Sequence, residues 1–359
     1  MIRRLDLTLY DWPLVLLTVG LNVAGLFVLA SAAPNPRLWK MQLLFSGLAL
    51  LTTGLLQLLR KETLFRLAYL IYALSLLLLV AVLFFGREVN GARAWFVFGP
   101  VRLQPSEFAK LALILMLAHT LASRSLANWR GYLLPSVLAL PPIALTVVEP
   151  DLGGALVMTA VVLGIFFVRG LPWRHLVVAG VLAGLLVPTV VWPHLQPHQR
   201  ERILVLLNPQ SDPLGAGFQV IQSMIAIGSG GVAGKGYGQG TQAQLGFVPE
   251  RHTDFIFSVL AEEMGLVGAL AILLGYAALL HRLGVMAMEV LHDGDRLVIV
   301  GVASLMAFQL LVNVGVTLGI APVTGITLPL MSYGGSSLIT TYLALGLAQL
   351  VYRDRYEPA

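Results

Sequence analysis

The sequence of 359 residues contains no cysteine and few charged residues. The absence of cysteine excludes disulfides, a thiolate nucleophile and cysteine-ligated metal centres. Charged residues make up only 11% of the chain and hydrophobic residues 57%, whereas soluble domains carry about 25% charged residues. This balance excludes a soluble enzyme, a disordered chain and a nucleic-acid-binding module. The sequence therefore predicts an integral membrane protein.

Long apolar stretches recur along the whole chain. A bilayer core about 30 Å thick is crossed by about 20 mostly apolar residues in a helix. The stretches of suitable length are 13–31, 41–59, 67–85, 106–122, 133–148, 152–168, 176–192, 255–280, 297–320 and 336–351. None alternates as the strands of an outer-membrane barrel do. We expect an all-α integral membrane protein whose ten transmembrane helices form one bundle, with 1–359 as a single polytopic domain.

The distribution of lysine and arginine predicts the orientation. With both termini in the cytoplasm, more than half of the 23 basic residues fall on the inner side, as the positive-inside rule requires. The polar segment 193–254 is then a large extracytoplasmic loop between helices seven and eight, and its mixed composition predicts that it folds back on the membrane surface. A second outer segment, 86–103, holds three aromatic residues and is expected at the membrane interface.

The glycine-rich stretch 228–240 is a candidate for a nucleotide-binding loop. The phosphate-binding loop pattern requires glycine where Ser229 stands and Ser or Thr where Gly236 stands. The stretch therefore does not predict a P-loop. Two interpretations remain. Its backbone amides and Lys235 hold a phosphate or pyrophosphate, or it is an ordinary flexible loop.

Asp254 stands where the long loop meets span eight. In one interpretation it is a general base at the membrane surface, with a pKa raised by partial desolvation. In a second, Thr253 or Asp254 caps the following helix. In a third, Glu250 and His252 join Asp254 around a divalent cation, although the spacing matches no strong metal motif.

Two pairs of charged residues lie inside predicted spans. Glu262 and Glu263 are neighbours in span eight, and carboxylates within a membrane either serve a function or bond another helix. Glu107 and Lys110 are three residues apart at the start of span four, after a proline suited to a first helical turn, so they can pair. That pair either neutralises both charges or orients an anionic lipid headgroup.

Three further polar features lie near the predicted outer rim or within a span. The turn 149–154 carries two carboxylates that serve as turn formers in the simplest reading. Ser336 lies in a glycine- and hydroxyl-rich start of span ten, which favours anions. Asn313 in span nine is typical of a residue that bonds neighbouring helices. The clustering of polar motifs at the outer rim predicts an outward-facing site acting on a membrane-associated molecule.

Motifs in a characteristic order run through the whole chain. They are 90–95 NGARAW, 103–110 LQPSEFAK, 150–153 PDLG, 208–209 NP, 212–213 DP, 228–231 GSGG, 234–236 GKG, 240–242 GTQ, 249–257 PERHTDFIF, 328–329 LP and 332–337 SYGGSS. In these motifs the sequence closely resembles the SEDS family of shape, elongation, division and sporulation proteins. Arg251 and the segment 260–263 resemble the elongation branch more than the division branch.

The resemblance implies a peptidoglycan glycosyltransferase that polymerises lipid II on the outer face of the bacterial cytoplasmic membrane. It implies as partners a class B penicillin-binding protein, which crosslinks the strands, and other membrane proteins of the elongation complex, but no nucleic acid. By matching motif, Asp254 is the essential acidic residue, and Glu107 and Lys110 lie near a lipid-sized cavity. Flipping of lipid II across the membrane is an older proposal for this family.

The chemistry of such a reaction agrees with the residues. The donor sugar of lipid II is already activated on undecaprenyl pyrophosphate, so no nucleotide site is needed. An α-linked donor gives a β-1,4 product in one inverting displacement, which needs a base at the acceptor hydroxyl. Asp254 is the expected base. The candidates for stabilising the departing pyrophosphate are Arg200, Arg202, Lys235, Arg251, loop amides or a divalent cation, Mg or Mn.

Two other functions remain open from the sequence. A transporter needs polar residues near the bilayer midplane between broken helices, and only Glu262 and Glu263 lie deep in a span. A non-catalytic scaffold that recruits a transpeptidase would tolerate the loss of Asp254. Glu262 and Ser336 complete the set of expected substrate-binding residues.

Overall fold

The computed structural model describes residues 7–33, 35–89, 92–99, 101–122, 124, 129–186, 189, 192–194, 197–212 and 215–356. The chain is mostly helical. The helices that overlap the predicted spans are α1 (Trp12–Ala32), α2 (Pro36–Leu56), α4 (Ala68–Phe85), α5 (Pro105–Leu121), α6 (Trp129–Val148), α7 (Leu152–Val168), α8 (Trp173–Leu186), α13 (Ile256–Glu289), α14 (Asp293–Thr317) and α15 (Gly335–Arg353). The shorter helices are α3 (Lys61–Arg66), α9 (Trp192–His194), α10 (Pro197–Leu207), α11 (Ala216–Gly230) and α12 (Thr241–Gln244).

Six helices within the described residues are long and apolar enough to cross a membrane. They are α1, α2, α4, α6, α13 and α14, and α7 is apolar but shorter. Several crossings are therefore supported by length and composition. The total of ten spans, and the side on which each loop lies, stay predictions.

The centre of the bundle is formed by α5, α14 and α15. Every residue of α5 from Ala112 to Ala118 is buried, and α14 packs against α5, α7, α13 and α15. In the peripheral helices, by contrast, large apolar side chains such as Leu16 and Leu51 are exposed. Helices that are apolar all round suit both environments, because one side meets the protein core and the other meets lipid.

The ends of the helices follow from local sequence. At the start of α1, the Asp11 carboxylate accepts a hydrogen bond from the backbone N–H of Leu14 at 2.8 Å. Pro105 occupies the first turn of α5, which confirms the position predicted for it. Proline suits this position because its fixed φ is helical and the first N–H groups of a helix lack partners within the helix.

Helix α13 is interrupted at Gly265, whose φ is 66°. The loop 230–236 packs into this interruption. The N–H groups of Lys235 and Gly236 donate to two successive carbonyls just before the break, each at 3.0 Å. Two N–H groups just after the break donate back to carbonyls of the loop at 2.9 and 3.2 Å. The loop therefore satisfies the backbone groups that the break exposes, which an apolar environment requires.

A small antiparallel sheet departs from the all-α prediction. Its strands are β1 (Arg87–Val89), β2 (Ala92–Phe98) and β3 (Val101–Leu103), in the order β1-β2-β3. Trp95 lies opposite Arg87, and Phe96 lies opposite Leu103. The segment 86–103 was expected only as a loop at the membrane interface. The prediction of an all-α fold is wrong at this segment because aromatic and β-branched residues in β2 favour strand pairing once two turns fold it back.

The segment 193–254 is folded. After α10, a 3-10 turn at Pro209–Ser211 leads into α11, which packs against α13. The Ser223 hydroxyl donates to the carbonyl of Thr317 at 2.7 Å and lies 2.6 Å from the Ser258 hydroxyl. These contacts attach the segment to α13 and α14. Its position on the outer side of a membrane stays a prediction.

The loop between α14 and α15 is buried at Ile326, Leu328 and 330–332, and polar side chains of distant helices hold it. Asn22 of α1 donates to the carbonyl of Leu330 at 2.9 Å. Gln42 of α2 donates to the carbonyl of Ser332 at 2.9 Å and accepts from the N–H of Gly334 at 3.1 Å. This loop is the element that brings the polar motifs together.

Candidate functional site

The segment 250–254 is fixed immediately before α13. The carbonyl of Thr253 accepts a hydrogen bond from the Ser332 hydroxyl at 2.6 Å. The carbonyl of Asp254 accepts one from the Asn313 side-chain amide at 2.9 Å. The carbonyl before these two accepts a backbone N–H of the α14–α15 loop at 2.8 Å. Three successive carbonyls are therefore bonded to other elements, so the backbone that carries Asp254 is held in one position.

The carboxyl of Asp254 is partly buried, and burial raises its pKa to about 6. The negative charge of Glu250 raises the pKa further, whereas the positive charge of Arg202 on α10 opposes the rise. A carboxyl with this pKa is largely ionised at pH 7 and becomes protonated as the pH falls through about 6. This is the range in which a general base works best.

The capping interpretation of this segment is wrong. The N-cap position of α13 is Phe255, and no side chain makes a capping hydrogen bond there. The Thr253 hydroxyl instead bonds to Glu250. The carboxyl of Asp254 is therefore not used to cap the helix.

The described residues contain no group of three or more His, Asp or Glu side chains placed to hold a metal ion. The ring of His252 lies instead against that of Tyr333, with centroids 5.8 Å apart. The described part of the site thus has no assembled set of ligands for Mg or Mn. A requirement for a divalent cation stays a prediction.

Glu107 and Lys110 form the predicted ion pair at the start of α5. Their charged atoms are 2.7 Å apart, and Lys110 is only 3% exposed. The second carboxylate oxygen of Glu107 accepts from the Thr340 hydroxyl of α15 at 3.0 Å. The positive charge of Lys110 lowers the pKa of Asp151, although burial raises that pKa overall. The pair is therefore part of a cluster that joins α5, α7 and α15.

Asp151 caps α7 and also bonds to α5. One carboxylate oxygen accepts the N–H of Gly154 at 2.8 Å. The other accepts from the Gln104 amide at 3.0 Å and the Ser106 hydroxyl at 3.2 Å. The sequence identified the 149–154 turn but assigned these carboxylates only to turn formation. The bonds to Gln104 and Ser106 depend on tertiary contacts that the local pattern does not contain.

Ser336 lies beside this cluster at the start of α15. Its hydroxyl donates to the carbonyl of Arg102 at 2.8 Å and accepts the backbone N–H of Gln104 at 3.2 Å. The residue therefore connects β3 and the start of α5 to α15. Ser332 of the α14–α15 loop bonds to Thr253, and Ser336, just after that loop, bonds to Arg102 and Gln104. The segments that carry Asp254 and the Glu107–Lys110 pair are therefore both bonded to this part of the chain.

Glu149 is a buried carboxyl that the sequence analysis assigned only to turn formation. It is fully buried, and neither carboxyl oxygen has a hydrogen-bond partner among the described residues. Burial, with a smaller contribution from the charge of Asp151, raises its pKa to about 8. Glu149 is therefore protonated at neutral pH.

Replacing Glu149 by glutamine is expected to remove a pH-dependent loss of stability. Because the folded pKa lies above the ordinary value of 4.5, wild-type stability falls as pH rises from 4.5 to about 8 and then levels off. Thermal melts of wild type and Glu149→Gln across that range test this. The advantage of the variant should widen with pH, and a constant difference would contradict the assignment.

Lys235 and Glu262 form an internal ion pair. The ammonium lies 2.7 Å from a carboxylate oxygen, and Glu262 is fully buried. That carboxylate also accepts the N–H groups of Gln242 and Ala243 at 2.8 and 3.1 Å, at the start of α12. Neighbouring Glu263 is buried as well and accepts the Ser31 hydroxyl of α1 at 2.5 Å. Both glutamates therefore make internal bonds of the kind that the structural interpretation predicts, and a contact of Glu262 with substrate stays a prediction.

Two glycines of the stretch 228–240 approach the backbone of α13 closely. A Cβ atom on Gly230 would lie 2.1 Å from the carbonyl oxygen of Ala261, and one on Gly234 would lie 2.2 Å from that of Glu263. The amides of Lys235 and the following glycine are already bonded to α13. These two amides are thus not available to a phosphate, and the stretch is not an ordinary flexible loop.

The three candidate arginines lie in different surroundings. Arg251 bonds to the carbonyls of Ala32 (2.8 Å from its Nε) and Ala243, and so ties α1 to α12. Arg200 donates to the carbonyl of Pro193 at 2.7 Å. Arg202 is close enough to Asp254 to lower its pKa. Among the predicted cations, Arg202 is therefore the one with a described link to Asp254.

The chain matches one known protein family over almost its whole length. Residues 14–357 match the model of the FtsW, RodA and SpoVE family, described as cell cycle protein. Peptidoglycan glycosyltransferase MrdB of Escherichia coli K12 is 44% identical over 289 residues, covering 79% of this chain and 77% of that protein. Stage V sporulation protein E of Bacillus subtilis is 36% identical over 369 residues, covering 96% and 98%.

Solved structures agree over nearly the whole chain. A chain from a structure described as "Structural coordination of polymerization and crosslinking by a peptidoglycan synthase complex" is 52% identical, with a TM-score of 0.86, covering 97% of this chain and 99% of that one. The rod shape determining protein RodA of Thermus thermophilus is 44% identical, with a TM-score of 0.76 and coverage of 97% and 98%. The chain is thus a multi-pass membrane protein, and it belongs to the FtsW, RodA and SpoVE family.

Proposed function

We propose that this protein is a peptidoglycan glycosyltransferase that polymerises lipid II into β-1,4 glycan strands. Relatives at 35–44% identity carry that name, and the family model covers almost the entire chain. The observation that carries the proposal is Asp254: an aspartate on a fixed backbone, with a pKa raised by burial to about 6. It has the protonation behaviour that activation of a sugar hydroxyl needs at neutral pH.

In the proposed mechanism Asp254 removes the proton from the acceptor 4-hydroxyl as the oxygen attacks the donor anomeric carbon. The bond from that carbon to the pyrophosphate breaks in the same displacement, so the α-linked donor becomes a β-linked product. The lipid pyrophosphate leaves with its electron pair and needs no second carboxylic acid. Positioned base catalysis of this kind contributes about 10²–10⁴-fold to the rate.

The departing pyrophosphate needs positive charge near Asp254. Arg202 is the first candidate, since its charge already acts on Asp254. Arg200, Lys235 and Arg251 are candidates from sequence, but their described contacts are internal. We therefore rank Arg202 above the other three as a contact of the leaving group.

The Glu107–Lys110 pair and Ser336 are proposed to line the pocket for the lipid II headgroup. Lys110 is the cation of a cluster that also holds Glu107 and Asp151. The Glu107 carboxylate holds the Lys110 ammonium in one position at 2.7 Å, beside the proposed headgroup site. Glu262, by contrast, has four internal donors, which supports a structural contribution to the same region.

The proposed setting is the bacterial cytoplasmic membrane, with both termini in the cytoplasm and the loop 193–254 outside. A class B penicillin-binding protein is the proposed partner, because the similar solved chain comes from a complex that couples polymerisation and crosslinking. Cell elongation is the proposed process, with other elongation-complex membrane proteins as further partners. The identity to RodA supports this branch, and a division role is the alternative.

One observation bears on lipid II transport as a second candidate. Transporters place broken helices around a midplane site, and α13 is broken at Gly265 beside Glu262 and Glu263. The broken ends are bonded to the loop 230–236, however, and both carboxylates have internal partners. These contacts favour a packed junction over an ion or substrate site, so we rank transport below polymerisation.

The decisive test of function uses purified protein with its cognate transpeptidase and lipid II. A glycosyltransferase is expected to yield long glycan strands on a gel without any nucleotide. The same protein in vesicles with fluorescently labelled lipid II measures transport as a separate readout. Polymer without accelerated flipping supports the proposal, and flipping without polymer would overturn it.

A further inference from the structure

Asn313 of α14 bonds to two backbone segments at once. It is 1% exposed. Its side-chain nitrogen donates to the carbonyl of Asp254 at 2.9 Å and to the carbonyl of Ile326 at 2.8 Å. The two protons of one amide therefore join Asp254, which precedes the N-cap residue of α13, to the loop after α14.

Both bonded segments border the carboxyl of Asp254. The loop 324–326 contains Gly325, whose φ of +72° places it where an added Cβ would lie 4.0 Å from a carboxyl oxygen of Asp254. An added Cβ on Gly153 of α7 would lie 2.5 Å from the carbonyl oxygen of Thr324. The loop is therefore confined between α7 and Asp254, and Asn313 sets the distance between the loop and the Asp254 backbone.

We infer that Asn313 is a positioning residue for the reaction, which holds the Asp254 carboxyl at a fixed place against the 324–326 loop. The inference rests on the proposed function, because it assigns Asn313 to the residue proposed as the base. Asn313 has no direct part in proton transfer. It acts through the main chain of Asp254, where a displacement of about 1 Å is enough to lower a rate on the order of 10²-fold.

If Asn313 contributed only to folding, its replacement would have a different effect. Buried carbonyls need partners, so a purely structural Asn313 would affect the melting temperature and leave the turnover of the folded protein unchanged. Gln309, one turn earlier on α14, is the matched control. It is also a buried amide, and within the described residues no hydrogen bond from it reaches 250–254.

The experiment compares Asn313→Ala, Asn313→Leu and Gln309→Ala with wild type in lipid II polymerisation. Alanine leaves space for water to satisfy the two carbonyls, and leucine keeps the volume but removes the donors. For both Asn313 variants we expect kcat to fall on the order of 10²-fold while KM for lipid II changes little. Gln309→Ala is expected to keep the wild-type kcat.

The pH profile gives a second readout. Loosening the segment admits water to Asp254, so the acid limb of kcat should move to lower pH in Asn313→Ala. The charged neighbours Glu250 and Arg202 are unchanged in that variant. If Asn313 were purely structural, the acid limb of kcat of the folded variant would stay at the wild-type pH.

The outcomes separate this inference from the proposed function. If wild type makes no polymer, the proposed function fails. If wild type polymerises and Asn313→Ala or Asn313→Leu folds with the wild-type kcat, the positioning inference is wrong while the function stands. If both Asn313 variants fail to fold and Gln309→Ala folds, Asn313 is structural and the inference is likewise overturned.

Discussion

Asp254→Asn is expected to lower the rate of lipid II polymerisation by about 10²–10⁴-fold and to leave the fold intact. The asparagine side chain has nearly the same shape but does not accept the proton of the acceptor hydroxyl. The backbone bonds at this position are unaffected, since they involve the main-chain carbonyls of 252–254. The measurement is gel analysis of glycan from wild type and variant, with thermal melts of both.

The pH dependence of the wild-type rate adds a signed test of the same residue. Asp254 accepts a proton only when ionised, so the rate should fall as pH drops through about 6. Because the charge of Glu250 raises this pKa and that of Arg202 lowers it, Glu250→Gln should move the acid limb to lower pH and Arg202→Gln to higher pH. A folded Asp254→Asn protein with the wild-type rate would show that another group is the base.

Lys235→Met is expected to destabilise the protein by about 3 kcal/mol, because removing one partner of a buried pair leaves the other charge uncompensated. Glu262 is fully buried while Lys235 is 24% exposed, and two backbone N–H groups remain on the carboxylate. Partial exposure of the lysine and these two bonds place the effect at the low end of the range for buried pairs. Thermal melts measure the loss, with Lys40→Met, at an exposed position, as the matched control.

The double variant Lys235→Met/Glu262→Gln separates structure from substrate binding. If the pair is structural, removing both charges restores most of the stability and the polymerisation rate. If Lys235 contacts the pyrophosphate, the double variant is stable but polymerises slowly. A Lys235→Met protein as stable as Lys40→Met would contradict the importance of the pair for folding.

The positions of the helices along the chain follow from sequence because their causes are local. An apolar stretch of suitable length gives a helix wherever it occurs, and each predicted span overlaps a helix. The pairing of Glu107 with Lys110 is equally local, since residues three apart meet on any α-helix. Asp254 was also recognised from its motif, and burial with a charged neighbour gives it the raised pKa expected there.

Only the tertiary structure decided how the motifs contact one another. The sequence of the glycine-rich stretch was compatible with a phosphate-binding or a flexible loop. In the structure its backbone instead bonds the two ends of a broken helix that lies 27 to 35 residues further along the chain. The strands of 87–103 form because turns bring them together, and their pairing has no helical or membrane signature in sequence. Glu149 lies in a recognised turn, yet its burial depends on helices packed around it.

The sequence by itself therefore determined that this is a multi-pass membrane protein with the motifs of the FtsW, RodA and SpoVE family. The placement of Asp254 against Asn313 and the α14–α15 loop was decided by the tertiary structure. The physical reason is that hydropathy and helical spacing act between neighbours in the chain, whereas a buried carbonyl accepts whichever donor the folded chain brings within about 3 Å.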